Sequence, residues 1–151
     1  MDASWRGPAL ALGAGLVLAG CYSFNQPAYQ PGDQRDVLQA ITRRGVVVSE
    51  PMAGQSACSG PELVGNVVHL TARLPEEAEA RDVYIHTYRE RSWEGSIDEV
   101  DACQTEYAAA HPDSTVTRLD IPTYRVFGAD WSPALTAELK AALDEASNAG
   151  R

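Results

Sequence analysis

Two histidines and two tyrosines form the one constellation in this chain whose types and spacing suggest shared chemistry. His69 lies in the run Leu63–Leu74, and His86 lies in Asp82–Glu90. Each run alternates. Val64, Val68, Leu70, Ala72 and Leu74 share one parity, and Val67, His69, Thr71 and Arg73 the other. In the second run Val83, Ile85 and Thr87 oppose Tyr84, His86 and Tyr88. Side chains on a strand alternate between faces, so these runs read as two strands of a hairpin, each with one apolar face. Matching the apolar faces pairs Val68 with Thr87, Leu70 with Ile85 and Ala72 with Val83. The opposite face then sets Val67 against Tyr88, His69 against His86 and Thr71 against Tyr84. A slip of one residue would carry a histidine onto the apolar face and desolvate it. The candidate ligand face is therefore His69, Tyr84, His86 and Tyr88. Two adjacent imidazoles disfavour double protonation, which leaves a neutral ring able to accept a proton or bind a metal. His69 and His86 are the candidate metal ligands, though no third ligand has a fixed position. The same residue types are also ordinary on the half-solvated face of an antiparallel sheet.

Other arrangements carry less. Ser56, Ser59 and Ser92 fall in loops with no nucleophile-elbow pattern around them. No acid has a predicted place behind either histidine, as a base with an orienting partner would need. Glu76–Glu77 and Asp98–Glu99 read as solvated acidic runs. The loop EPMAGQSACSGP, residues 50–61, lacks the glycine spacing and the lysine of a phosphate-binding loop. No catalytic residue and no cofactor follow from the sequence, and an enzyme is the lesser reading.

The chain's address is written in Ala9–Cys21, ALALGAGLVLAGC. Ala9–Ala19 carries no polar side chain and then stops at a cysteine. The run is too short to span a bilayer and matches the core of a signal peptide. Pro27 and Pro31 follow among polar residues, so it does not continue as a membrane helix. Leu18, Ala19, Gly20 and Cys21 resemble the lipobox of bacterial lipoproteins. The resemblance covers the first 21 residues only and implies cleavage before Cys21, with a diacylglycerol on its thiol. The expectation is a signal peptide over 1–20, a tether over 21–32 and an exported protein in the cell envelope, held to the membrane through lipid on Cys21. One acyl chain binds a membrane marginally, whereas two hold firmly.

With Cys21 lipidated, Cys58 and Cys103 remain. An exported chain with two thiols left invites one disulfide, Cys58–Cys103. Closing a loop of about 45 residues is worth roughly 4 kcal/mol on the chain-entropy account. No C-x-x-C motif supports a redox role, and no other Cys or His stands at metal-ligand spacing nearby. Over the 151 residues, 12 basic and 21 acidic side chains give a net charge of −9. Residues 1–20 contain only Asp2 and Arg6, so their removal leaves that charge unchanged. A strongly acidic domain disfavours nucleic acid and anionic lipid surfaces as partners. An envelope protein or a small ligand remains.

The elements that must position these residues follow from pattern. Asp33 caps a helix with Asp36 in its first turn, a Val37, Leu38, Ile41 stripe, and Arg43–Arg44 before Gly45. Val46–Val48 reads as a strand. Ser96 and Glu99 have capping-box spacing for a helix reaching Ala110, where Ile97, Val100, Cys103 and Tyr107 recur near helical spacing and His111–Pro112 ends it. Trp93 precedes that helix, either exposed as a contact residue or, more commonly for a tryptophan, folded over the edge of the core. Ser114–Ile121 and Thr123–Phe127 read as strands broken at Pro122. Ser132 and Pro133 start a last helix with Leu135, Leu139, Ala142, Leu143 and Ala146 inward, and Trp131 stands ready as a staple before it. The domain, 33–147 with a frayed tail at 148–151, is expected to be an α+β two-layer sandwich: a mainly antiparallel four- or five-stranded sheet with three helices. The functional expectation is a membrane-anchored accessory binding or protein-interaction module. The alternative is a small extracytoplasmic enzyme or a metal or small-ligand binder using the His69/His86 face.

Overall fold

A computed structural model describes residues 32–88 and 93–149, with the side chains of 61, 62 and 93–96 excepted. The expected signal peptide, Cys21, the expected tether before Gly32, Ser92, the side chains of Trp93 and Ser96, and the end of the tail lie outside the described residues.

The order is α1 (Gln34–Arg43), β1 (Val47–Ala53), a single helical turn α2 (Pro61–Val64), β2 (Val67–Arg73), β3 (Arg81–Thr87), α3 (Trp93–Ala110), β4 (Val116–Ile121), β5 (Tyr124–Ala129) and α4 (Pro133–Asn148). The strands form one five-stranded sheet in the order β1-β2-β3-β5-β4. Every neighbouring pair is antiparallel. This is a mixed α+β fold with three long helices, as the pattern of elements indicates.

Helices α1 and α4 pack together over one sheet face. Val37, Ala40 and Ile41 of α1 meet Leu135, Leu139, Ala142 and Leu143 of α4. Beneath them lie Val68, Leu70, Ala72, Val83, Ile85 and Val126. The local signals act as expected. Asp33 accepts from the N–H groups of Arg35 and Asp36, Gly45 takes a φ of 80°, and Ser132 accepts from the Leu135 N–H. Arg43 and Arg44 are consumed by α4, through Glu145 at 2.7 Å and Glu138 at 3.1 Å. Trp131 is buried, and its indole N–H donates to the Asp82 carbonyl at 3.0 Å. That bond serves β3 where its ladder with β5 has stopped, since the described pairing begins at Tyr84↔Phe127.

The other face is not bare. Val100, Cys103 and Tyr107 of α3 pack on Phe127, with Tyr84, Val116 and Ala129 against the same cluster. The polar parity of β2 and β3 therefore runs beneath a third layer, which the sequence pattern alone does not show.

Several boundaries move. β1 extends to Ala53 through a bulge between Ser49 and Met52, where a loop was expected from Glu50. Pro51 and the positive φ of Glu50 are tolerated because β1 is an edge strand. β2 begins at Val67 rather than Leu63, because Pro61 starts a helical turn instead. α3 begins at Trp93, a turn before the cap expected at Ser96.

Candidate functional site

The hairpin register corrects the expected constellation. Val68 pairs with Ile85, Leu70 with Val83, His69 with Tyr84, and Val67 with His86. The slip is two residues, so every residue keeps its face while every partner changes. Parity sorts side chains between faces but is blind to a shift of two. His69 and His86 are thus diagonal rather than directly opposed. They share the face away from Leu70 and Ile85.

The two histidines occupy different environments. His86 is 1% exposed, stacked on Phe127 with ring centroids 5.6 Å apart, and neither ring nitrogen has a hydrogen-bond partner among the described residues. Burial pulls its pKa down to about 4, with the Arg125 main chain opposing weakly. His86 is a neutral core side chain at physiological pH. His69 is 9% exposed and fully engaged. Its Nε2–H donates to Asp82 Oδ1 at 2.8 Å, and its Nδ1 lies 2.9 Å from Gln55 Oε1. With one ring proton, Nδ1 accepts from the Gln55 amide; with two, it donates to the Gln55 carbonyl. Either way no lone pair faces a metal. The expected His69/His86 pair therefore cannot share one ion. Among the described residues, no group of three or more His, Cys, Asp or Glu side chains is placed to hold a metal.

Tyr88 keeps that face but loses its expected pairing with Val67. It lies past the end of β3, buried in the α3 cluster, and its N–H donates to the Thr123 carbonyl. Burial raises its pKa. Tyr84 remains. Its ring stacks on His69 at 4.6 Å and 19°, and meets Tyr107 edge-on at 5.6 Å. Tyr107 in turn stands 4.2 Å from the His111 ring, and the Nδ1–H of His111 donates to the Tyr107 carbonyl.

These contacts build a cavity of about 300 Å³ between β3 and α3. Asp82 and Tyr84 enter from the strand, Glu106 and Tyr107 from the helix, His111 from just past its end, and Cys58 from the loop after β1. The Cys58–Cys103 disulfide, with Cα atoms 5.6 Å apart, fastens that loop to α3. One wall of the cavity is therefore covalently held. The Tyr84 and Tyr107 hydroxyls have no hydrogen-bond partner among the described residues. Burial raises the pKa of both, with Asp82 contributing to Tyr84, and with Tyr84 and Asp82 contributing to Tyr107, which is pushed up to about 12. Both phenols are neutral near pH 7 and can donate or accept.

Sequence reasoning missed Asp82, Glu106 and Tyr107 as site residues. Asp82 had a readable signal, since it shares the parity of Tyr84 and His86. Glu106 and Tyr107 had none until α3 was placed over that face. An acid does stand behind His69, which the sequence could not position. No protein-family model, no curated protein and no solved structure matches this chain.

Proposed function

We propose that this chain is a lipid-anchored extracytoplasmic lipoprotein whose folded domain is a binding module, with the cavity between β3 and α3 as its site. The observation that carries the binding reading is the cavity's lining. Two phenols, whose hydroxyls have no hydrogen-bond partner among the described residues, and two carboxylates line one concave space of small-ligand size. Such groups fix the orientation of a ligand. The lipid anchor rests on Leu18–Cys21, and a disulfide between the two remaining cysteines supports an oxidising compartment.

A small hydrolytic enzyme is the second reading, favoured by the His69–Asp82 pair. A carboxylate at 2.8 Å from an imidazole is the orienting half of a base. The other half is missing: Nδ1 of His69 faces Gln55, not a serine, cysteine or threonine nucleophile.

Screening a metabolite library by NMR against the labelled protein tests the binding reading. Binders should shift the resonances of Ala57, Tyr84, Tyr107 and Ala110. A library whose binders all perturb other surfaces, with those four unmoved, would remove the cavity from consideration.

A further inference from the structure

We infer that the ligand of this cavity is a small organic cation bearing N–H donors, an amine or a guanidinium; the inference rests on the cavity being a binding site. Three observations on its lining agree. Asp82 and Glu106 bring two carboxylates to it, while no lysine or arginine lines it. Asp82 gives one oxygen, Oδ1, to His69. Glu106 makes no ion pair among the described residues, where Arg43, Arg44, Arg81, Arg118 and Lys140 pair with other acids. Tyr84 and Tyr107 add aromatic rings in an edge-on pair and two hydroxyls. Tyr84 is stacked on both His69 and Phe127, so the pair contributes through its hydroxyls, and neutral phenol oxygens accept from N–H donors.

An anion would meet two carboxylates with only His111, on the rim, to offset them. A purely apolar ligand would strand the phenol hydroxyls and the carboxylates without partners. The net charge of −9 adds a long-range field that favours cations approaching the domain. Within the site, each carboxylate is positioned by a rigid element. Asp82 is held by β3 and by His69. Glu106 is one residue from Tyr107, which is buried against Phe127 at 5.4 Å.

The experiment uses the intact protein in maltoside micelles and four probes: agmatine, putrescine, succinate and butane-1,4-diol. Calorimetry gives affinity, and NMR reports the resonances of Tyr84, Tyr107 and Ala110. Agmatine or putrescine should bind and move those resonances, and salt should weaken the binding. Glu106→Gln should weaken it about tenfold, and Asp82→Asn by a similar factor. Glu106 is exposed on its helix, so the first variant keeps the fold. The Asp82 carbonyl keeps its bond to Trp131 in the second. Succinate or the diol moving the cavity resonances while both cations leave them still would overturn the cation class and leave the cavity a site. Cations binding with equal affinity to both variants would also overturn it, by placing them elsewhere. If none of the four probes binds, the cation inference falls, and the wider library decides the binding reading separately.

Discussion

His86 is a histidine that the fold keeps from charging. It is buried without a hydrogen-bond partner among the described residues, and its pKa falls from 6.5 to about 4. The unfolded chain binds this proton near pH 6.5, whereas the folded chain refuses it until about pH 4. Stability from this group is therefore complete above about pH 6.5 and is lost progressively as the pH falls towards 4. At about 1.4 kcal/mol per pH unit, the loss is on the order of 3 kcal/mol. His86→Leu should remove that part of the acid sensitivity and leave stability at pH 7 equal or higher, because it deletes an unpaired polar group. Urea unfolding of both proteins at pH 7 and 4.5 checks it; parallel losses in the two would reject His86 as the source. The residue types on this face were legible from parity, since His69, Tyr84 and His86 do share it. Their partners were not. A shift of two residues conserves the apolar match, so nothing in the hairpin's own pattern distinguishes Leu70 against Ile85 from Leu70 against Val83.

At the scale of elements, two contacts decide how the layers sit. Gly128 lies under Trp131. A β-carbon at this position would stand 2.1 Å from the Asp82 carbonyl and 2.6 Å from the Trp131 indole nitrogen. Gly128→Ala should displace the indole, break its bond to Asp82 and destabilise the fold by about 1–3 kcal/mol or more. A red-shifted tryptophan emission and a lower urea midpoint are the expected readings, and a midpoint equal to wild type would show that the indole moves without cost. On the other side of the sheet, Cys58–Cys103 closes a 45-residue span and fastens the cavity loop to α3. Cys103→Ala with Cys58→Ala should lower the unfolding free energy by about 2–5 kcal/mol. The same variant should broaden the NMR signals of residues 54–60 while leaving α4 sharp. Uniform sharpness throughout would mean that packing, not the bond, fixes the loop. Helix stripes were legible here because period and caps agree: Asp33, Gly45, Ser132 and the Leu135–Ala146 stripe all do what their positions imply. The extension of β1 to Ala53 and the turn at Pro61 were not, because Pro51 and the glycines of residues 50–61 give the composition of a loop.

For the whole molecule, the described domain is first fastened at Gly32. Its carbonyl accepts from the buried Tyr124 hydroxyl at 2.6 Å, and its N–H donates to Asp36. The described domain is thus fastened eleven residues after Cys21, which spans at most about 40 Å of extended chain. A lipid on Cys21 would hold the domain close to the membrane, above the tether. Expressed with export, the protein should partition with membranes, and its intact mass should correspond to residues 21–151 plus acyl chains. Cys21→Ser should release the domain into the soluble fraction without altering its unfolding midpoint. Recovery of the chain from Met1 with an unmodified Cys21 would end the lipoprotein proposal.

The sequence by itself determined what is local or periodic: the N-caps of α1 and α4, the inward stripes, the two faces of the hairpin and the class of mixed α+β fold. It also indicated the Cys58–Cys103 bond, because an expected export with Cys21 lipidated leaves just these two cysteines to pair. Only the tertiary structure decided the register, the placing of α3 over the second face, and hence the cavity. Those depend on contacts between residues far apart in the chain, such as Asp82 with His69 and Tyr84 with Tyr107. Local propensity sets which face a side chain occupies, but the free energy that chooses its neighbour is the packing of whole layers.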